Sequence, residues 1–166
     1  MKKTAIALGI MIGAMGSAIA GPVGQAGHVD GTITTLSDQS VTVTVDEPSA
    51  TLRPEQIKDR FFVTTAHVKP SESAKVWVGM SEWGEGDKGG VGVMRTADGR
   101  TAGLQVWGGN MTEQEVDGRP MLVSNYECTE EMDCYYRVQL SSGGSAGLPE
   151  PGAEYHYGID AGVWAD

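Results

Sequence analysis

The sequence predicts an all-β domain, a sandwich or barrel of short strands, and three observations carry that prediction. Helical periodicity is nearly absent from the 166 residues. Seven to nine short segments alternate apolar with polar residues or are rich in β-branched side chains, with turn residues between them. Twenty-four glycines imply many turns and few long helices.

Each segment has its own reason. Val41-Thr42-Val43-Thr44-Val45 alternates strictly, and all five residues are β-branched. Pro54-Glu55-Gln56-Ile57-Lys58-Asp59-Arg60 is the one helix candidate, one or two turns opened by a proline and an early acid. Apolar runs at 61–68 and 75–80 are separated by the turn-rich Lys69-Pro70-Ser71-Glu72-Ser73. Runs at 91–96 and 101–107 flank Ala97-Asp98-Gly99-Arg100, where Asp-Gly signals a hairpin. A second Asp-Gly-Arg, residues 117–119, reads as a similar turn before a strand at 121–126. Another strand follows at 135–140, then a Gly/Ser/Pro loop at 143–152, then alternating aromatic and small residues at 154–164.

Residues 1–20 read as a signal peptide. Lys2 and Lys3 precede an uncharged stretch whose apolar core, 5–15, is too short to span a bilayer comfortably, and small residues Ala18 and Ala20 precede Gly21. The expectation is export, with Gly21 as the mature N-terminus. The chain carries 12 Lys+Arg against 22 Asp+Glu, a net charge of −10. The first 20 residues hold two of the bases and no acid, leaving 10 against 22 in the remainder. Nucleic acid is excluded as a partner, because phosphate neutralisation needs clustered cations. Cys128 and Cys134 are the only cysteines. In an oxidising compartment an even count predicts one disulfide, here closing a short loop.

Signals for chemistry are weak. Gly143-Gly144-Ser145-Ala146-Gly147 matches a nucleophile-elbow pattern, but Leu148-Pro149-Glu150-Pro151-Gly152 follows where that motif needs a helix. His28, His67 and His156 lack metal-ligand spacing. Glu127, Glu130, Glu131 and Asp133 surround the cysteines and read as a solvated face. Trp77, Trp83, Trp107 and Trp164 fit either a core or a sugar-binding surface. No catalytic, cofactor or metal site is expected, and the chain is read as a non-enzyme.

The stretch 21–60 is long for a chain with so few elements in it. Its alternating strand is followed by Asp46-Glu47-Pro48 and has two readings: the first strand of an ordinary sandwich, or a strand made for another molecule's sheet. The run Val41-Thr42-Val43-Thr44-Val45-Asp46-Glu47-Pro48 resembles the mature start of alpha-class chaperone–usher fimbrial subunits, the colonisation-factor-antigen-like pilins. Phe61-Phe62-Val63-Thr64-Thr65-Ala66-His67-Val68 and Lys75-Val76-Trp77-Val78 are similar to that family's aromatic-led and Lys-Val-x-Val strands. Pro151-Gly152-Ala153-Glu154-Tyr155 is similar to its C-terminal turn and strand. The resemblance covers residues 40–80 and 148–166.

The resemblance implies an incomplete immunoglobulin-like β-sandwich completed by a donated strand, with a signal peptide at 1–20, an N-terminal extension at 21–48 and a sandwich domain at 49–166. It implies a structural subunit of a surface fimbria, polymerised by donor-strand exchange and supporting adhesion to a host-surface receptor. Its partners would be neighbouring pilin subunits in a homopolymer, a periplasmic chaperone and an outer-membrane usher. Val41, Val43 and Val45 are the expected donor strand, with His28–Leu36 as the alternative if Val41–Val45 is the first domain strand. Residues 21–39 precede the Thr/Val run, which in that family lies close to the mature N-terminus, and the cysteine pair is unusual for its major subunits. The alternative function is a secreted monomeric adhesin or ligand-binding sandwich using its Trp/Tyr face.

Overall fold

The structure, a computed structural model, describes residues 21–28, by their backbone, and 39–165. The expected signal peptide and most of the 28–36 alternative lie outside the described residues. Among the described residues ten strands form two antiparallel sheets. They are β1 (Gly21–His28), β2 (Val41–Val45), β3 (Phe62–Pro70), β4 (Lys75–Met80), β5 (Val91–Arg95), β6 (Thr101–Trp107), β7 (Met111–Val116), β8 (Arg119–Ser124), β9 (Cys134–Leu140) and β10 (Ile159–Ala165). The first sheet has the order β1-β10-β4-β8-β7 and the second β2-β3-β9-β6-β5. Their face-to-face packing makes an immunoglobulin-like sandwich.

Strand alternation builds the core. Val76, Val78 and Met80 of β4 and Ile159, Ala161 and Val163 of β10 face inward from the first sheet. Val68 of β3, Tyr136, Val138 and Leu140 of β9 and Leu104 and Val106 of β6 meet them from the second. The intervening residues of the first sheet form a smaller outer cluster of Trp77, Met121, Val123 and Trp164. The larger core is what positions the two edges discussed below, since β2 and β10 both contribute side chains to it.

One local reading is narrowed and three change. The helix candidate is a single 3-10 turn, Pro54–Gln56, whose Gln56 side chain accepts the Arg53 N–H at 2.7 Å; the chain leaves it through Arg60, which has a φ of 59°. The C-terminal strand begins at Ile159, because 154–158 cross the end of the sandwich with only His156 bridged to Arg95. β7 escapes the sequence pattern because Met-Thr-Glu-Gln-Glu-Val is polar on both faces, as suits a charged edge strand. Its turn into β8 is the second Asp-Gly. Asp117 and Gly118 both have positive φ, 53° and 77°, and Val116 pairs with Arg119, a two-residue hairpin of the I′ type. The boundary expected after Pro48 falls inside the sandwich, since β2 is already part of a sheet.

Candidate functional site

β2 lies antiparallel to β3 of the same chain, with Val41 opposite Pro70, Val43 opposite Val68 and Val45 opposite Ala66. Val41 and Val43 are 2% and 9% exposed and belong to the main core. The expectation that the apolar face of Val41, Val43 and Val45 lacks a partner in its own chain therefore does not describe this arrangement. The reason is the strict alternation itself, which suits an edge strand with one wet face as well as a donated one.

The N-terminal segment occupies the other edge. β1 runs antiparallel to β10, from Gly21 opposite Ala165 to His28 opposite Asp160, with an irregularity between Val23 and Gly27. On its other side β10 pairs with β4. β10 is apolar and faces the core through Ile159, Ala161 and Val163. It carries one charge, Asp160, and no proline or lysine to discourage pairing. Near its start a cavity of about 850 Å³ opens between the sheets, lined by Val45, Leu52, Ile57, Val63, Tyr155 and Tyr157 among others. Burial there raises the pKa of the Tyr157 phenol.

The disulfide joins Cys128 to Cys134 with a Cα–Cα distance of 5.6 Å. Cys128 exchanges backbone hydrogen bonds with Ala74, just before β4, while Cys134 opens β9. The bond thus closes the crossing between the two sheets. The acidic loop it encloses is more than a solvated face. Asp133 Oδ2 lies 2.6 Å from His67 Nδ1, and His67 Nε2 lies 3.0 Å from Asp46 Oδ1, so one imidazole ties the loop to the end of β2. Just outside the loop, Ser73 donates to Glu127 at 2.7 Å.

The serine motif is a structural loop. Ser145 N–H and Oγ–H both donate to the buried Asp87, at 2.5 and 3.1 Å, and Gly84 N–H donates to the same carboxylate at 2.7 Å. His156 is bridged to Arg95 and sits 3.8 Å from Glu154.

The four tryptophans separate. Trp77 and Trp164 are buried in the outer cluster. Trp83 and Trp77 hold the Arg119 guanidinium between them, 5.2 and 4.9 Å from the ring centroids, and Arg119 pairs with Asp160 at 2.5 Å. Trp107 stays exposed on the outer face of the second sheet, opposite Arg137 of β9. The Arg137 guanidinium stacks on Phe62, 5.4 Å from its centroid. The sequence holds all three residues of this row, but only the sheet order brings β3, β9 and β6 side by side.

No protein-family model matches the chain, and no curated protein matches it. Solved structures do. The Escherichia coli Hda pilus minor tip subunit HdaB is similar over 73% of this chain and 80% of its own, with 11% identity and a TM-score of 0.56. SefD_dscA covers 76% of this chain and 98% of its own at 13% identity and a TM-score of 0.49. AggB, the minor subunit of aggregative adherence fimbriae type I from Escherichia coli, covers 74% and 98% at 11% identity and a TM-score of 0.45. At 11% identity the likeness to HdaB is one of fold: the chain has an immunoglobulin-like fold similar to that of this pilus subunit, as the sequence resemblance implied.

Proposed function

We propose that this chain is a structural subunit of a surface fimbria, exported through the periplasm and assembled by donor-strand exchange, in a role that is not enzymatic. The observation that carries the reading is the β1–β10 pairing. Without β1, the first sheet would end in β10, an apolar and unblunted strand whose row of N–H and C=O groups invites another strand. An N-terminal segment that fits this edge in its own chain is chemically able to fit it in a neighbour. A neighbour's strand laid in the same register and continued past the His28 position runs toward Gly158 and Tyr157, which line the cavity. The partners on this reading are neighbouring subunits of a homopolymer, a periplasmic chaperone holding the β10 edge before assembly, an outer-membrane usher, and a receptor on the host surface.

The donor is assigned to the N-terminal segment, residues 21–36, in place of Val41, Val43 and Val45. The burial of Val41 and Val43 in their own subunit supports this choice, because donating β2 would strip two core side chains from the chain that gives them. The test is native mass of the exported protein, as wild type, with residues 21–36 deleted after the leader, and as Val43→Asp. The expected result is a multimer ladder for wild type and only monomer or a chaperone complex for the deletion. Multimers formed equally well by the deletion would overturn the donor assignment. So would a Val43→Asp chain that is as stable as wild type yet fails to multimerise, which would return the donor role to β2. A wild-type protein that is monomeric at every stage of export would overturn the fimbrial reading.

A further inference from the structure

We propose that the outer face of the second sheet binds an acidic saccharide, with Arg137 engaging the carboxylate and Trp107 and Tyr135 stacking on sugar rings. The proposal adds a ligand site to the subunit and does not depend on how subunits assemble.

Three observations meet on this face. The first is an unmet cation. Arg137 stands on the central strand β9, and among the described residues its guanidinium has no hydrogen-bond or ion-pair partner; it stacks on the ring of Phe62, 5.4 Å from the centroid. In a chain with net charge −10, acids are plentiful, and Arg95, Arg100 and Arg119 all have them. Stacking on Phe62 orders the guanidinium plane while leaving its N–H donors for a planar acceptor, and a carboxylate meets that fork with two parallel hydrogen bonds.

The second observation is exposed aromatic area at the right places. Trp107 is 45% exposed and directly opposite Arg137 in the β6–β9 register, Tyr135 is 68% exposed two residues earlier on the same face of β9, and Phe62 is 44% exposed. Rings that flank a cation on a flat sheet offer π-faces to the C–H faces of pyranose rings. Water is displaced there from apolar area that the fold leaves uncovered.

The third observation selects a saccharide over an acidic peptide. β9 is hydrogen-bonded on both sides, to β3 and to β6, so the face has no free strand edge for a peptide backbone. The neighbouring amides are tied to one another and to the backbone: Gln139 Nε2–H donates to Gln105 Oε1 at 3.3 Å, and Gln105 Nε2–H donates to Gly89 O at 3.1 Å. They form a fixed floor beside the aromatic row. Charge orients the ligand. Glu130 and Glu131 lie in the loop just before the Tyr135 end of β9, so the carboxylate belongs at Arg137 and the uncharged rings extend along the aromatics.

The test is titration of the exported full-length protein with sialyllactose and with a glucuronate-containing disaccharide, using lactose as the neutral control and a polyglutamate peptide as the competing acid. At least one acidic saccharide is expected to bind, with lactose and polyglutamate each at least roughly tenfold weaker. Arg137→Gln should weaken the acidic saccharide by roughly tenfold or more, Arg137→Lys should restore only part of that, and Trp107→Ala should weaken acidic and neutral sugars alike. Unfolding midpoints measured on the same samples should stay near wild type, since both side chains are exposed. Failure of both acidic saccharides to bind would overturn the proposal. Binding that ignores Arg137→Gln would do the same, as would Arg137-dependent binding of polyglutamate as tight as that of the sugars.

Discussion

Val43 stands directly opposite Val68 across the β2–β3 ladder, and both side chains are buried in the main core. The first strand of the second sheet is therefore part of what holds the subunit together. Val43→Asp should lower folding stability by at least about 2 kcal/mol, from lost apolar burial and from a carboxylate placed where it has no partner. Thr42→Asp, one residue away on the exposed face, should stay within about 0.5 kcal/mol. Urea midpoints of the two variants check this. Equal midpoints would mean that β2 is detached in solution.

The disulfide closes a crossing between sheets, and its loop is held to β2 through His67. Replacing Cys128 and Cys134 together by alanine should cost about 2 kcal/mol, as expected for constraining so short a loop in the unfolded chain. Hydrogen exchange should quicken at positions 74 and 128, whose paired backbone bonds the bridge pins in the wild type. Unchanged exchange there would show that those bonds hold by themselves.

What the sequence reveals, and what it hides, follows from one property of strands. Strict alternation in 41–45 and clear apolar runs in 75–80 and 101–107 mark elements whose bounds the structure reproduces. β7 is hidden because an exposed, charged edge strand lacks that alternation. β1 is hidden because Gly-Pro-Val-Gly-Gln-Ala-Gly-His has neither an apolar face nor β-branched residues beyond Val23. Alternation also cannot name the sheet a strand joins, which is why Val41–Val45 suits a donor and an edge strand equally. The Arg137 row was out of reach for a different reason: Phe62, Trp107 and Arg137 are far apart in sequence and meet only through the order β3-β9-β6.

Asp87 is a buried carboxylate that accepts from Gly84 N–H, Ser145 N–H and Ser145 Oγ–H. Asp87→Ala leaves two backbone donors in this partly buried loop without an acceptor and should cost about 3 kcal/mol. Ser145→Ala removes only the hydroxyl bond and should cost no more than about 1 kcal/mol. Chemical unfolding gives both values, and limited proteolysis should cut the 141–147 loop of Asp87→Ala first. A large effect of Ser145→Ala with none from Asp87→Ala would contradict the loop's role as described.

Tyr136 projects from β9 into the main core, and its hydroxyl has no hydrogen-bond partner among the described residues. Burial pushes the phenol well above its ordinary value of 10.0, with a smaller contribution from the nearby Tyr126. The folded state therefore keeps its proton where the unfolded chain would lose it. Because the folded pKa is the higher one, stability is intact below about pH 10 and falls as pH rises above that ordinary value. Tyr136→Phe removes both the buried polar atom and the titration. It should raise stability at neutral pH by about 1 kcal/mol. It should also flatten the loss of stability above pH 10 relative to wild type. Urea unfolding across neutral and alkaline pH reads both effects in one experiment. A variant less stable than wild type at neutral pH would show that the hydroxyl has a partner in solution.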